Sequence, residues 1–413
     1  MIKKCNCGMI HTCPVEHIET GAGALAKLHE LCKDYSKILL VSDENTWEVC
    51  GKKVFSLLED KLAYNYTFYN KGKVLVPDEK AIAELESELE KTDTDLIVGV
   101  GSGVINDLCK HISFQHDLPY YIVATAPSMD GYVSVGAALI LEGMKVTLNA
   151  RPPLVVIADT DVLVKAPMEM LQAGYGDIIG KYSCLNDWKL SALINEEYFC
   201  EEIYNMTYEA AKKVESLGAG VLKRDPESVE TLMKALLDVG VAMSYVGNSR
   251  PASGSEHHLS HYFEITGIVN GEKYYPHGID VAYSSVITAE LRQTILENKP
   301  VKREFSKGKW ETAIKNIYGP VAPGVISLQN KLGWYTMDDR ETIKKKRKQI
   351  YAILQEAPTP EKVMAMLEKV NLDFEKFKEF YGESKIRDGV LYAKDLKDRY
   401  TVLWLYYSYF RKC

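Results

Sequence analysis

Three of the chain's nine histidines fall in one short segment, Ser253-Gly254-Ser255-Glu256-His257-His258-Leu259-Ser260-His261. On a helix His257 and His261, four residues apart, share one face, and His258 turns about 100° away from it. A fourth histidine, His277, stands in Pro276-His277-Gly278, where the glycine permits close packing around the ring. Imidazoles in this pattern suit a catalytic divalent ion, which takes about three protein ligands and keeps one open position. His257 and His277 are candidates for two of them, and an oxygen ligand is expected as the third. Asp177, in Gly174-Tyr175-Gly176-Asp177 ahead of Ile178-Ile179, is a carboxylate that would be costly to bury without a partner. The same residues also admit a plainer reading with no ion: an N-cap aspartate, a surface histidine and a loop histidine. Two nitrogens and one carboxylate suit zinc, nickel or iron, and ligand type alone does not choose among them.

A second chemical feature is the run Leu96-Ile97-Val98-Gly99-Val100-Gly101-Ser102-Gly103-Val104-Ile105-Asn106-Asp107. It reads as a buried strand, a glycine turn and a helix, and a helix N-terminus approached through glycines can take a pyrophosphate. The third glycine comes too early for the G-x-G-x-x-G fingerprint, and no G-K-[ST] closes a Walker A loop. After the next strand comes Thr125-Ala126-Pro127-Ser128-Met129-Asp130-Gly131, whose hydroxyls stand where parallel sheets bind ligands. Asp130 is either a turn carboxylate or a ligand contact. The early Cys5-Asn6-Cys7-Gly8 with His11 and Cys13 is either a small metal knuckle or a glycine-turned hairpin with incidental thiols.

These residues need elements to hold them. With 413 residues, the chain is long enough for two domains. Strand signals at 36–41, 64–69, 96–100, 120–124 and 154–158 alternate with helical stretches such as 77–91. That alternation implies a mostly parallel, doubly wound sheet. After Pro167 helices dominate, at 207–214, 226–244, 279–293, 338–354 and 359–370, with 400–410 as a docked terminal helix. The expected division is an α/β nucleotide-binding domain over 1–165 and an all-helical domain over 166–413, with a cleft between them as the default ligand site. The net charge of −7 argues against broad nucleic-acid binding. No apolar leader follows Met1, and no uncharged run approaches the roughly 18 residues of a membrane span. Nine scattered cysteines suit reduced thiols in the cytoplasm.

At these motifs the chain closely resembles the glycerol-1-phosphate dehydrogenase family, which is related to iron-type alcohol dehydrogenases, glycerol dehydrogenase and dehydroquinate synthase. The resemblance runs from Glu19-Thr20-Gly21-Ala22-Gly23 to the helical C-terminus. Its most specific pieces are Thr125-Ala126-Pro127-Ser128 with Asp130-Gly131, Gly176-Asp177 with Asp187-Trp188-Lys189, Ser255-Glu256-His257 with Ser260-His261, and His277-Gly278. It implies a dehydroquinate synthase-like fold and NAD(P)-dependent reduction of dihydroxyacetone phosphate to glycerol 1-phosphate, with one divalent ion as Lewis acid. It further implies that Asp177, His257 and His277 hold the metal, with Asp177 also at the substrate, and that His261 and Asp130 contact the substrate. Gly103, Val104, Ile105, Asn106, Asp107, Thr125, Ala126, Pro127, Ser128 and Ser134 then match cofactor contacts, and Asp43 the residue near the adenosine ribose. His261 could also relay a proton. Lys181, one turn after Asp177, is expected from its charge to meet the substrate phosphate. A homodimer is the expected assembly. The rival functions are a glycerol dehydrogenase-like polyol oxidoreductase and a dehydroquinate synthase-like cyclase, although Asp177 stands where the latter family uses a glutamate.

Overall fold

The computed structural model describes residues 1–72, 74–142, 144–300, 305–337 and 340–410. Ten strands occur among them. A hairpin of β1 (Ile2–Lys4) and β2 (Ile10–Thr12) opens the chain, and β3 (His17–Gly21), β4 (Ile38–Asp43), β5 (Leu62–Phe68), β6 (Leu96–Gly101) and β7 (Tyr120–Ala124) follow. A ribbon of β8 (Gly136–Leu141) and β9 (Met144–Asn149) precedes β10 (Val155–Asp159). Six strands form one parallel sheet in the order β3-β10-β7-β6-β4-β5. Every residue of β6, β7 and β10 is buried, as are the first five of β4. This explains their unbroken Val, Ile and Leu runs: the sheet is covered on both faces, so no polar alternation is needed.

The chain steps from β4 outward to β5, then returns to the other side of β4 to lay down β6. The carboxyl ends of β4 and β6 are therefore a topological switch point, the place where sheets of this kind take ligands. In the register Ser42 lies opposite Val100, and Gly101 opposite Ala124. Asp43, the glycine turn and Thr125 consequently emerge along one rim.

The chain separates into two compact units, Met1–Tyr175 with Ala219–Ser249, and Gly176–Gly218 with Arg250–Cys413. A single change near residue 165 was expected. The helix Pro226–Val246 instead rejoins the first unit, where it packs on the 130–133 turn. Its composition resembles that of the other helices, so sequence texture could not separate it from them.

Among the described residues the second unit contains helices and no strand. The expected helices at 207–214 and 279–293 are longer, at Glu201–Val214 and His277–Glu297. The one expected at 338–354 is described from Arg340 to Glu356, and its first two expected residues lie outside the described ones. The tail docks as anticipated, with Val402, Leu405 and Trp404 buried beside Leu190, Ile295 and Ile350.

Candidate active site and metal centre

In the first unit the expected nucleotide-side residues gather on the rim just described. The helix Gly103–Gln115 starts at Ser102 without a side-chain cap, so it presents backbone N–H groups and the positive end of its dipole. Gly101 is sterically required, because a Cβ there would stand 2.5 Å from that of Ile105. Asn106 turns inward, receives the Tyr120 hydroxyl and donates to Asp107, so only its backbone faces the turn. The Asp43 carboxylate accepts from the N–H groups of Asn45 and Thr46, which fixes its direction at the strand end.

The Thr125–Asp130 loop is held from two sides. A Cβ on Gly174 would lie 1.8 Å from the Pro127 carbonyl, and one on Gly240 would lie 2.9 Å from that of Asp130. Two glycines on separate helices, Gly174 and Gly240, thus let both helices press on this loop. Thr125 extends the sheet by donating to Gly101, and the Tyr132 hydroxyl donates to Ala126. Sequence reasoning missed Lys110. It is fully buried and donates to the carbonyls of Gly131 and Gly136 and to the Ser134 hydroxyl. Ser134, expected at the cofactor, is in this arrangement part of the turn's own bonding.

In the second unit the metal candidates converge. The ring centroids of His257 and His277 lie 5.1 Å apart, those of His261 and His277 5.4 Å, and those of His257 and His261 6.3 Å. His258, on the same helix Ser255–Asn270, is buried on its other side, as its phase predicted. Glycines again make the approach possible. A Cβ on Gly176 would meet the Gly278 carbonyl at 2.5 Å, and one on Gly180 would meet Val281 at 2.5 Å. The Asp177 turn therefore sits directly on the first turn of the His277 helix. A Cβ on Gly254 would meet Cys184 at 2.6 Å, which seats the start of the His257 helix on Lys181–Asn195. Asp187 caps that start by accepting from Ser255 N–H at 2.7 Å and is itself held by Arg292 at 3.0 Å. The Asp187-Trp188-Lys189 motif thus contributes a scaffold carboxylate.

Asp177 Oδ1 lies 3.5 Å from His257 Nε2. Two ligand atoms about 2.0–2.2 Å from one tetrahedral ion would stand roughly 3.4 Å apart. Glu256, which the sequence reading left without a role, receives the His257 Nδ1 proton at 2.6 Å. The Nε2 lone pair is then turned toward a carboxylate, an arrangement that only a second proton or a cation between them relieves. Ser260 Oγ similarly engages His277 Nδ1 at 3.1 Å. Outer-shell partners of this type fix the tautomer of metal-binding histidines. Burial alone would raise the Asp177 pKa, but the Lys181 ammonium and the two rings outweigh it and hold the carboxyl well below its usual range. The donor set fits one divalent ion.

Lys181 requires a correction. It was expected to meet a substrate phosphate, but it is fully buried and its ammonium donates to Asp177 at 2.7 Å and to the Ala252 carbonyl at 3.0 Å. Its i, i+4 relation to Asp177 makes it that carboxylate's counter-ion.

Residues 19–167 match the iron-containing alcohol dehydrogenase family. The chain has the fold of a sulfoacetaldehyde reductase from Bifidobacterium kashiwanohense solved with NAD+, at a TM-score of 0.62 and 14% identity, covering 96% of this chain and 97% of that one. The parallel sheet and the helical second unit therefore have an iron-type alcohol dehydrogenase fold. A glycerol-1-phosphate dehydrogenase [NAD(P)+] of Geobacillus thermodenitrificans is 32% identical over 82% of this chain and 78% of its own length. One from Methanosarcina mazei is 38% identical over 58% of this chain and 67% of its own. The chain belongs to the glycerol-1-phosphate dehydrogenase family.

Proposed function

We propose that this chain reduces dihydroxyacetone phosphate to glycerol 1-phosphate with NADH or NADPH, using one divalent ion held by Asp177, His257 and His277. The observation that carries the proposal is the buried Asp177 carboxylate facing His257 Nε2, with His261 and His277 beside it. The names of the relatives, which specify glycerol 1-phosphate and NAD(P), supply the substrate and the cofactor. When bound, the ion supplies a Lewis acid for the carbonyl and the reduced nicotinamide supplies the hydride. The chain's own residues do the rest. Glu256 and Ser260 orient the two imidazoles. His261 hydrogen-bonds the substrate oxygen and passes the proton that the new alcohol gains. Asp130 contacts the substrate hydroxyl. Gly103, Val104, Ile105, Asn106 and Asp107 offer the helix N-terminus to the pyrophosphate, Thr125, Ala126, Pro127 and Ser128 border the nicotinamide, and Asp43 meets the adenosine ribose.

Among the described residues no helix is long and apolar enough to cross a membrane. The reading further includes a homodimer in the cytoplasm, which native mass measurement and cell fractionation test. The decisive assay is NAD(P)H oxidation by metal-loaded protein with chiral analysis of the product. Turnover of dihydroxyacetone phosphate well above that of dihydroxyacetone, giving glycerol 1-phosphate, is expected. Equal turnover of both ketones would favour a glycerol dehydrogenase, and phosphate release from a sugar-acid phosphate would favour a cyclase.

A further inference from the structure

The N-terminal hairpin carries chemistry that the dehydrogenase reaction does not use. β1 and β2 pair with Lys4 opposite Ile10, and the turn between them holds Cys5 and Cys7. Gly8, at φ +84°, closes that turn by donating to the Cys5 carbonyl at 3.3 Å. His11, on β2, is only 2% exposed. Its Nδ1 lies 2.8 Å from the Tyr245 carbonyl oxygen on the helix Pro226–Val246. A carbonyl oxygen only accepts, so Nδ1 carries the proton and the neutral ring keeps a lone pair on Nε2. That Nε2 stands 3.4 Å from Cys7 Sγ. The ligand atoms of Cys5, Cys7 and His11 all lie within 4.8 Å of one another.

A thiol hydrogen bond would account for the Cys7–His11 pair, but not for a second sulfur converging on the same point. Zinc distances of about 2.3 Å to sulfur and 2.0–2.1 Å to nitrogen place such donors roughly 3.6 Å apart around a tetrahedral ion. A backbone carbonyl that fixes the distal ring nitrogen is also the outer-shell partner that metal-binding histidines use. We propose that Cys5, Cys7 and His11 form a second metal site, for zinc or another thiophilic divalent ion. Three protein ligands leave one coordination position for a further donor. The ion binds as the two thiols lose their protons. Its role is structural. Strands of three residues make a marginal hairpin by themselves, and the ion ties this one through His11 to the helix behind it.

The test uses full-length protein prepared under reducing conditions, stripped of metal and reloaded with cobalt(II). The Asp177 centre contains no sulfur, so a near-ultraviolet thiolate-to-cobalt charge-transfer band reports the hairpin site alone. Two equivalents of bound cobalt per chain and that band are expected. The double variant Cys5→Ser/Cys7→Ser should lose the band and one equivalent while keeping dehydrogenase turnover. An independent measurement on the wild-type chain is alkylation: bound zinc should slow iodoacetamide labelling of Cys5 and Cys7 at least tenfold. Absence of the band from wild-type protein, equal metal content in the double variant, or labelling at the same rate with and without zinc would each overturn the proposal.

Discussion

Replacing Glu256 by Gln separates the outer shell of the proposed metal centre from its ligands. Glu256 Oε1 accepts two bonds in the native protein, from His257 Nδ1 at 2.6 Å and from Gly254 N–H at 2.9 Å. Its Oε2 is buried and has no hydrogen-bond partner among the described residues. In Glu256→Gln the amide oxygen must keep both bonds, because both partners are donors. The new NH2 group then occupies the Oε2 position, where a buried donor without a partner costs about 1–3 kcal/mol. The His257 ring also loses the anion that makes it a strong ligand. Outer-shell changes of this kind weaken metal binding by about 10–100-fold, or roughly 1.4–2.7 kcal/mol. Two measurements resolve the two effects. Denaturant unfolding of the metal-free protein should show the first, and competition with a chelator of known affinity should show the second. Turnover at saturating metal should recover most of its wild-type value, since Asp177, His257 and His277 are all retained. Metal affinity within twofold of wild type would refute the assignment of Glu256 as the partner that sets His257, and with it the orientation argument for Nε2.

Two further expectations concern the other groups around Asp177. Lys181→Met removes one half of a buried ion pair, a change that costs about 3–5 kcal/mol when the remaining charge is uncompensated; the loss should be large in metal-free protein and much smaller once a divalent ion is bound, and an equal loss in both states would refute the counter-ion role. Gly176→Ala forces the Asp177 turn away from the His277 helix, because relieving a 2.5 Å contact to the Gly278 carbonyl needs close to an ångström of movement; overpacking of about 1–3 kcal/mol and a loss of turnover on the order of a hundredfold should follow, and wild-type turnover with unchanged thermal stability would contradict the proposed positioning.

What could be read from the sequence divides along physical lines. The buried parallel strands were legible because their apolar runs are continuous, and the phase of His257, His258 and His261 followed from helix geometry. The edge strand β3, His17-Ile18-Glu19-Thr20-Gly21, went unseen: it pairs on one side only and carries polar residues that break the signal. The return of Pro226–Val246 to the first unit was hidden for another reason. Membership depends on which surface a helix meets, and its own residues look like those of any buried helix. Lys181 shows the limit of reasoning from charge. A lysine one turn from a carboxylate could serve a ligand or the carboxylate, and only burial decides. Lys110 and Glu256 carried no spacing signal, because each acts on a backbone turn or a neighbouring ring that local sequence does not mark.

The pairing of Asp177 with Lys181 on adjoining turns also bears on how the protein matures. Small zinc domains stay unfolded until their ion arrives, since nothing else balances their ligands. Here the chain supplies its own cation to the fully buried Asp177, the proposed acidic ligand, so the helices can close around the site during synthesis with no ion present. Metal loading then becomes a late event on a finished fold. Ligand type does not discriminate sharply among zinc, nickel and iron, and an ion accepted at that stage reflects the supply in the cell. The same polypeptide recovered from cells grown on different metals should therefore differ in its resident ion without differing in its yield of folded chain.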